Sequence, residues 1–230
     1  MLDSVVALMP PPIFNPDPAP WPEPVRLEGR YVELEPLRPD HADDLWAETG
    51  GTEHAALWDY LFDGPFPERA AFDRHIANKS KSQDVLFFAI IDRATERAAG
   101  CASYLRIEPA HRCIEVGNIL LGPSLQRTRG ATDAMYLMAR YAFETLGYRR
   151  YEWKCNAENQ PSRQAALRLG FTFEGIFRQH MIVKGRNRDT AWFAMLDAEW
   201  PAREAALERW LDPANFDAAG RQRSKLAGRR

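Results

Sequence analysis

Residues 125–134 read LQRTRGATDA, with Arg127 and Arg129 around Thr128 and a helical pattern opening on Gly130, Ala131 and Thr132. A helix N-terminus presents N–H groups without intrahelical partners and a partial positive charge. Two guanidinium groups added there suit an anion with several oxygens. The stretch also reads as a polar strand-to-helix turn with solvated arginines. Glu115 lies in an alternating pattern between Ile114 and Val116, neighbours able to desolvate its carboxylate in part. His180 sits in a late strand-like run, and an imidazole of ordinary pKa about 6.5 suits proton transfer. Asn159 and Ser162 stand at a helix start, where Asn is a favoured N-cap.

Periodicity supplies the elements that must hold these groups. Alternation predicts a strand over 31–37, and strand-like runs cover 85–92, 99–107, 112–122, 149–156, 171–183 and 190–197. Helical spacing predicts helices from Asp40, as the cap, to about Thr49, over 68–80, from Gly130 to a stop at Gly147, from Pro161 to just before Gly170, and from near Asp197. Gly117 in a strand interior predicts a bulge or a close backbone approach. The order is a β-rich start with two helices, then β-α-β-α-β-β. Residues 10–24 hold eight of the 17 prolines, so 1–24 reads as an extended arm that Phe14 and Trp21 are placed to pin down. The main domain spans 25–213. Residues 214–230 carry five Lys/Arg against Asp217 and read as a mobile basic tail.

Hydrophobic residues make up 45% and charged residues 27%, an ordinary globular balance, and the net charge of −2 argues against electrostatic binding of nucleic acid. The tail is +4 and the body −6, but no recognised RNA-binding motif accompanies that asymmetry. Cys101, Cys113 and Cys155 are widely spaced, which fits a reducing compartment better than a disulfide framework or a zinc knuckle. The histidines show no metal spacing. Val5–Met9 is a short apolar run without a preceding basic region, and no stretch reaches transmembrane length, so a cytoplasmic protein is expected.

Strand 112–122, the LQRTRGAT turn, a helix, strand 149–156, NQPS, a helix ending LGF, and EG together closely resemble the GCN5-related N-acetyltransferases. Within them the chain resembles the ribosomal-protein-alanine acetyltransferase-like branch. The similarity runs from about Leu27 to Trp200 and is most specific over 115–132 and 159–175. It implies an α/β (α+β) fold with a central mixed, mostly antiparallel sheet of about seven strands. Two neighbouring strands, the family's fourth and fifth, splay apart, and helices flank the sheet. It also implies an acetyl-CoA-dependent transferase in which a primary amine attacks the thioester directly. The amine belongs to a protein N-terminus, a lysine or a small molecule, and no metal is needed.

The family's pyrophosphate loop reads Gln/Arg-x-x-Gly-x-Gly/Ala. Gln126 and Ala131 match its outer positions, Arg129 takes the middle glycine's place, and Gly130 follows one residue later. The resemblance implies that backbone N–H groups over Arg127, Thr128, Arg129, Gly130, Ala131 and Thr132 cradle the pyrophosphate, with Arg129 also able to reach it through its side chain. The backbone of Ile119 and Leu120 is expected along the pantetheine arm. Asn159 is expected on a pantetheine amide, and Ser162 as hydroxyl donor to the leaving sulfur. Glu115, eleven residues before Gln126, is the first candidate for general base and His180 the second; each also reads as a structural strand residue. The loop of Lys184, Arg186, Arg188 and Asp189 either rims the acceptor side or is charged for solubility. A monomer or homodimer is expected. The alternative is a non-catalytic acyl-CoA-binding sensor on the same fold. A nucleotide-hydrolysing P-loop is disfavoured because no G-x-x-x-x-G-K-[ST] is present.

Overall fold

In β3 (Leu86–Asp92) Phe87 and Ala89 face one side and Phe88 and Ile90 the other, and all four are buried. A strand buried on both faces requires cover on both. The computed structural model, which describes residues 16–226, shows that cover as helices on either side of one sheet. On one side, α1 (Ala42–Thr49) and α2 (Arg69–Lys79) bring Leu45, Phe72 and Ile76 onto Phe87 and Ala89. On the other, α3 (Arg129–Arg140), α4 (Gln160–Leu169) and α5 (Trp200–Leu211) enclose the larger core around Phe88, Ile114, Leu137, Met138 and Tyr151.

The remaining strands are β1 (Leu27–Glu28), β2 (Val32–Pro36), β4 (Arg97–Glu108), β5 (Cys113–Leu121), β6 (Arg150–Asn156), β7 (Thr172–Val183) and β8 (Arg186–Leu196). The sheet has eight strands in the order β1-β2-β3-β4-β5-β6-β8-β7, against the expected seven or so. The addition is β1, whose two residues pair with β2 but are too short to show a pattern. Neighbours are antiparallel except β5 and β6, which are parallel.

Local chemistry corrects several expected boundaries. Asp40 does not cap the first helix: a short helical turn covers Pro39–His41, closed by Arg38 N–H donating to His41 Nδ1 at 3.2 Å, and α1 begins at Ala42 without a side-chain cap. The β7–β8 hairpin closes on two residues, Lys184 (φ 50°) and Gly185 (φ 74°). Both lie in the left-handed region that tight hairpin turns need. Strand β8 therefore starts at Arg186, and Arg188 belongs to a strand rather than to an exposed loop.

The proline-rich segment meets the body through its backbone. Ala19 is buried and its N–H donates to Pro109 O at 3.1 Å, while Tyr148 Oη donates to Pro20 O at 3.1 Å. Trp21, expected as an anchor, is 46% exposed, and Phe14 lies outside the described residues. In the basic segment Phe216, Asn215 and Leu226 are buried, and Phe216 bridges to Gln222. Among the described residues no helix is long and apolar enough to cross a membrane.

Candidate functional site

The parallel ladder between β5 and β6 is short. Cys113–Val116 pair with Arg150–Trp153, and from Gly117 onward β5 has no partner strand on that side. A bulge causes the turn away: Ser103 pairs with Gly117 and Cys101 with Leu120, so two β5 residues oppose one on β4. Asn118, not Gly117, takes the left-handed conformation (φ 50°), and its Nδ2 donates to Ser103 Oγ at 2.9 Å. The edge of β5 around Ile119 and Leu120 thus lies in the opening of the sheet, as expected of two splayed strands. The Leu120 side chain points to the α1–α2 core.

Two cavities occupy this opening. A groove of about 920 Å³ runs between β5, the start of α3, α4 and residues 216–222, and a smaller cleft of about 80 Å³ lies toward β4, β7 and β8. Ile119 and Trp153 line both, so the two spaces meet there.

At the head of the groove the chain turns through Arg127, at φ 59°. Thr128 caps α3, its Oγ1 accepting Ala131 N–H at 3.2 Å. The Arg129 and Gly130 N–H groups are then the first-turn donors that helix geometry leaves without intrahelical partners. Gln126 braces the turn from outside, donating to Leu121 O at 2.9 Å. The Arg129 side chain is clamped between Tyr31 and Phe216, at 4.6 and 4.8 Å from the ring centres. It ties α3 to the C-terminal segment. The close approach needing a glycine falls at Gly130, where an added Cβ would come within 2.9 Å of Leu125 and Val32. Thr132 is buried and its Oγ1 accepts Arg168 Nη1 at 3.1 Å, with Arg168 stacked on Trp210. Arg127, Thr128, Arg129, Ala131 and Thr132 all line the groove.

Glu115, Ser162, Asn159 and His180 line the smaller cleft. Glu115 is 3% exposed, and both its oxygens accept from Arg106 Nη1 (2.9 and 2.8 Å), while Lys154 Nζ lies 2.9 Å from Oε2. Both oxygens are thus already engaged with cations. His180 is placed by a bulge in β7 between Phe177 and Met181, and its Nδ1 is 3.0 Å from Thr190 Oγ1. Partial desolvation, then Arg106, Arg188 and Lys154, push its pKa below the ordinary imidazole value. Asn159 Oδ1 accepts Ser162 N–H at 3.1 Å and caps α4; Gly170, at φ 100°, ends that helix. Ser162 Oγ accepts Trp153 Nε1–H at 3.0 Å, and its hydroxyl also faces the Cys155 thiol.

Sequence reasoning missed Arg106 and Lys154 and misjudged Arg188. Lys154 was accessible by alternation: Tyr151, Trp153 and Cys155 are buried on one face, leaving Glu152 and Lys154 to share the other with Glu115. Arg106 gave no such signal, because it sits at φ 44° in a β4 irregularity between Leu105 and Glu108. Lys184 donates to Trp58 O at 2.7 Å, drawing the hairpin over the segment that carries Leu61 and Phe62 to the cleft. Among the described residues no group of His, Cys, Asp and Glu could hold a metal ion.

Comparison with known proteins agrees with this geometry. The family described as Acetyltransferase (GNAT) domain matches residues 32–172. A solved GCN5-related N-acetyltransferase from Brucella melitensis is 51% identical, superposes with a TM-score of 0.91, and covers 93% of this chain and 97% of its own. The uncharacterised N-acetyltransferase YnaD of Bacillus subtilis is 27% identical over 150 residues, which is 65% of this chain and 85% of YnaD. The ribosomal-protein-serine acetyltransferase of Escherichia coli is 30% identical over 97 residues, 42% of this chain and 54% of that enzyme.

Proposed function

The chain belongs to the GNAT family of N-acetyltransferases, and we propose that it moves an acetyl group from acetyl-CoA to a primary amine by direct attack. The observation that carries this reading is the meeting of the long groove and the small cleft at Ile119 and Trp153, inside the splay of β5 and β6. The groove's residues fit the coenzyme: unpaired first-turn N–H groups and Arg127 at one end suit a diphosphate, and the free edge of β5 suits an amide-bearing arm. When bound, acetyl-CoA supplies an electrophilic thioester carbonyl and a thiolate leaving group.

In the cleft, His180 is the better base. Nδ1–H donating to Thr190 Oγ1 leaves the Nε2 lone pair to accept the amine's proton, and a lowered pKa keeps the ring neutral near pH 7. Glu115 acts as a positioning residue that holds Arg106 and Lys154 in place. Ser162 donates its hydroxyl proton toward the departing sulfur, and Asn159 offers its amide N–H groups to the pantetheine. Cys155 also lines the cleft, but burial pushes its thiol pKa up, which makes it a poor acyl carrier and favours direct transfer. The amine belongs to a protein N-terminus, a lysine or a small molecule, in line with the similarity to the ribosomal-protein branch. We place the reaction in the cytoplasm, on the three free cysteines.

The test is release of free thiol from acetyl-CoA in the presence of amines: an N-terminal peptide set, a lysine peptide and small amines. Thiol release is expected only with both acetyl-CoA and an amine present. Release at the same rate without any amine, or none with any of these amines, contradicts the transfer reading.

A further inference from the structure

The cleft contains one buried cation that the fold leaves without a counter-charge. Arg188 is 7% exposed, and its Nε and Nη1 have no hydrogen-bond partner. Its guanidinium lies 4.7 Å from the centre of the Phe62 ring, a contact that seats the group without neutralising it. The other cations of the cleft are matched: Arg106 lies 2.8 Å from Glu115, and Lys154 is shared between Glu115 at 2.9 Å and Glu152 at 2.7 Å. Asp189, next in the chain, is turned elsewhere, accepting Gln179 N–H at 2.7 Å and Asn187 Nδ2 at 2.9 Å. An unpaired buried guanidinium is costly to a fold unless a ligand brings the opposite charge.

Charge and size narrow that ligand. One unmatched cation calls for one negative charge, and the planar N–H donors of a guanidinium match the two oxygens of a carboxylate. The cleft, at about 80 Å³, admits a small group rather than a folded surface. His180 and Ser162 line the same space, so an anion held on Arg188 sits beside the groups that would handle the amine and the sulfur. We propose that the acceptor is a small amine that also bears a carboxylate, an amino-acid-like molecule anchored by Arg188 with its amine toward His180. This rests on the transferase reading and names its substrate class. The neutral amine nitrogen forms the bond to the acetyl carbon, the carbon–sulfur bond breaks, the proton lost by that nitrogen passes to His180 and on to solvent, and the coenzyme leaves as a thiolate that Ser162 hydrogen-bonds and solvent protonates.

The test is a panel of amino acids, including β-alanine and γ-aminobutyrate, each beside its primary amide, assayed by thiol release from acetyl-CoA. At least one acid is expected to exceed its amide in kcat/KM by about 30-fold or more, the scale of a buried charge pair losing one partner. Arg188→Met, which keeps bulk against Phe62, brings that ratio close to one chiefly by raising KM, and Arg188→Lys restores part of it. The wild-type acid-to-amide ratio decides the matter even if a variant folds poorly. Amides used as well as acids, a ratio that survives Arg188→Met, or a preference for acidic peptides over free amino acids each overturns the proposal. No turnover of any member, with acetyl-CoA still raising Tm, overturns this substrate class and leaves coenzyme binding standing. Loss of the acetyl-CoA effect itself removes the underlying reading as well.

Discussion

His180→Ala is expected to lower kcat roughly 10²- to 10⁴-fold, the usual worth of a positioned acid–base group, while the Kd for acetyl-CoA stays near the wild-type value. The separation follows from geometry, because His180 lines the small cleft and not the coenzyme groove. The pH profile adds a signature that a structural role would not produce. A base works when deprotonated, and partial desolvation together with Arg106, Arg188 and Lys154 holds this imidazole below its ordinary pKa of 6.5. The acid limb of kcat/KM in the wild-type enzyme therefore lies below pH 6.5, and the variant loses it. An unchanged kcat, or an acid limb that persists in the variant, would show that another group takes the proton.

Removing Glu115 is expected to cost stability first. The carboxylate is almost completely buried and faces Arg106 and the Lys154 side chain, itself 4% exposed. Glu115→Ala leaves Lys154 with Glu152 alone and Arg106 with no carboxylate within ion-pair distance. Breaking a buried pair by removing one partner costs about 3–5 kcal/mol, and the surviving Glu152 contact places this case near 3. At roughly 2–4 °C per kcal/mol for a chain of this size, Tm should fall by about 6–12 °C. Glu115→Leu combined with Lys154→Met should recover much of that loss, since apolar groups of similar size can replace a buried ion pair. A melting temperature unmoved by Glu115→Ala would mean that the carboxylate carries no structural load, and the base assignment would then return to it.

Much of the arrangement was written in local chemistry that one chain displays. The apolar run through residues 86–92 reads as a strand, and Asn159, Pro161 and Gly170 mark both ends of α4. The turn before α3 was legible because two arginines stand around Thr128 just before a helical pattern opens at Gly130, while the cap by Thr128 itself came only with the structure. What stayed hidden depends on partners distant in sequence. The packing of Arg129 between Tyr31 and Phe216 is not legible locally, because those rings come from 98 residues before and 87 after. Glu115 reads as a half-exposed strand carboxylate until β6 delivers Lys154. Arg188 reads as a loop charge because the hairpin turn is only Lys184 and Gly185, which moves the strand boundary past it and buries the guanidinium beneath Phe62. The two-residue β1 carries too little pattern to announce itself.

The proposed transfer requires the groove beside α3 to hold the coenzyme. The measurement is a thermal-shift titration of the full chain with acetyl-CoA, CoA and ATP side by side. A ligand that binds only the folded state contributes about 2.7 kcal/mol at a hundred times its Kd. Acetyl-CoA and CoA are expected to raise Tm in a saturable manner, with ATP giving a much smaller shift because it lacks the pantetheine arm that the open edge of β5 receives. Absence of any shift with both CoA species, or an equal shift with ATP, would contradict the coenzyme site and with it the proposed reaction.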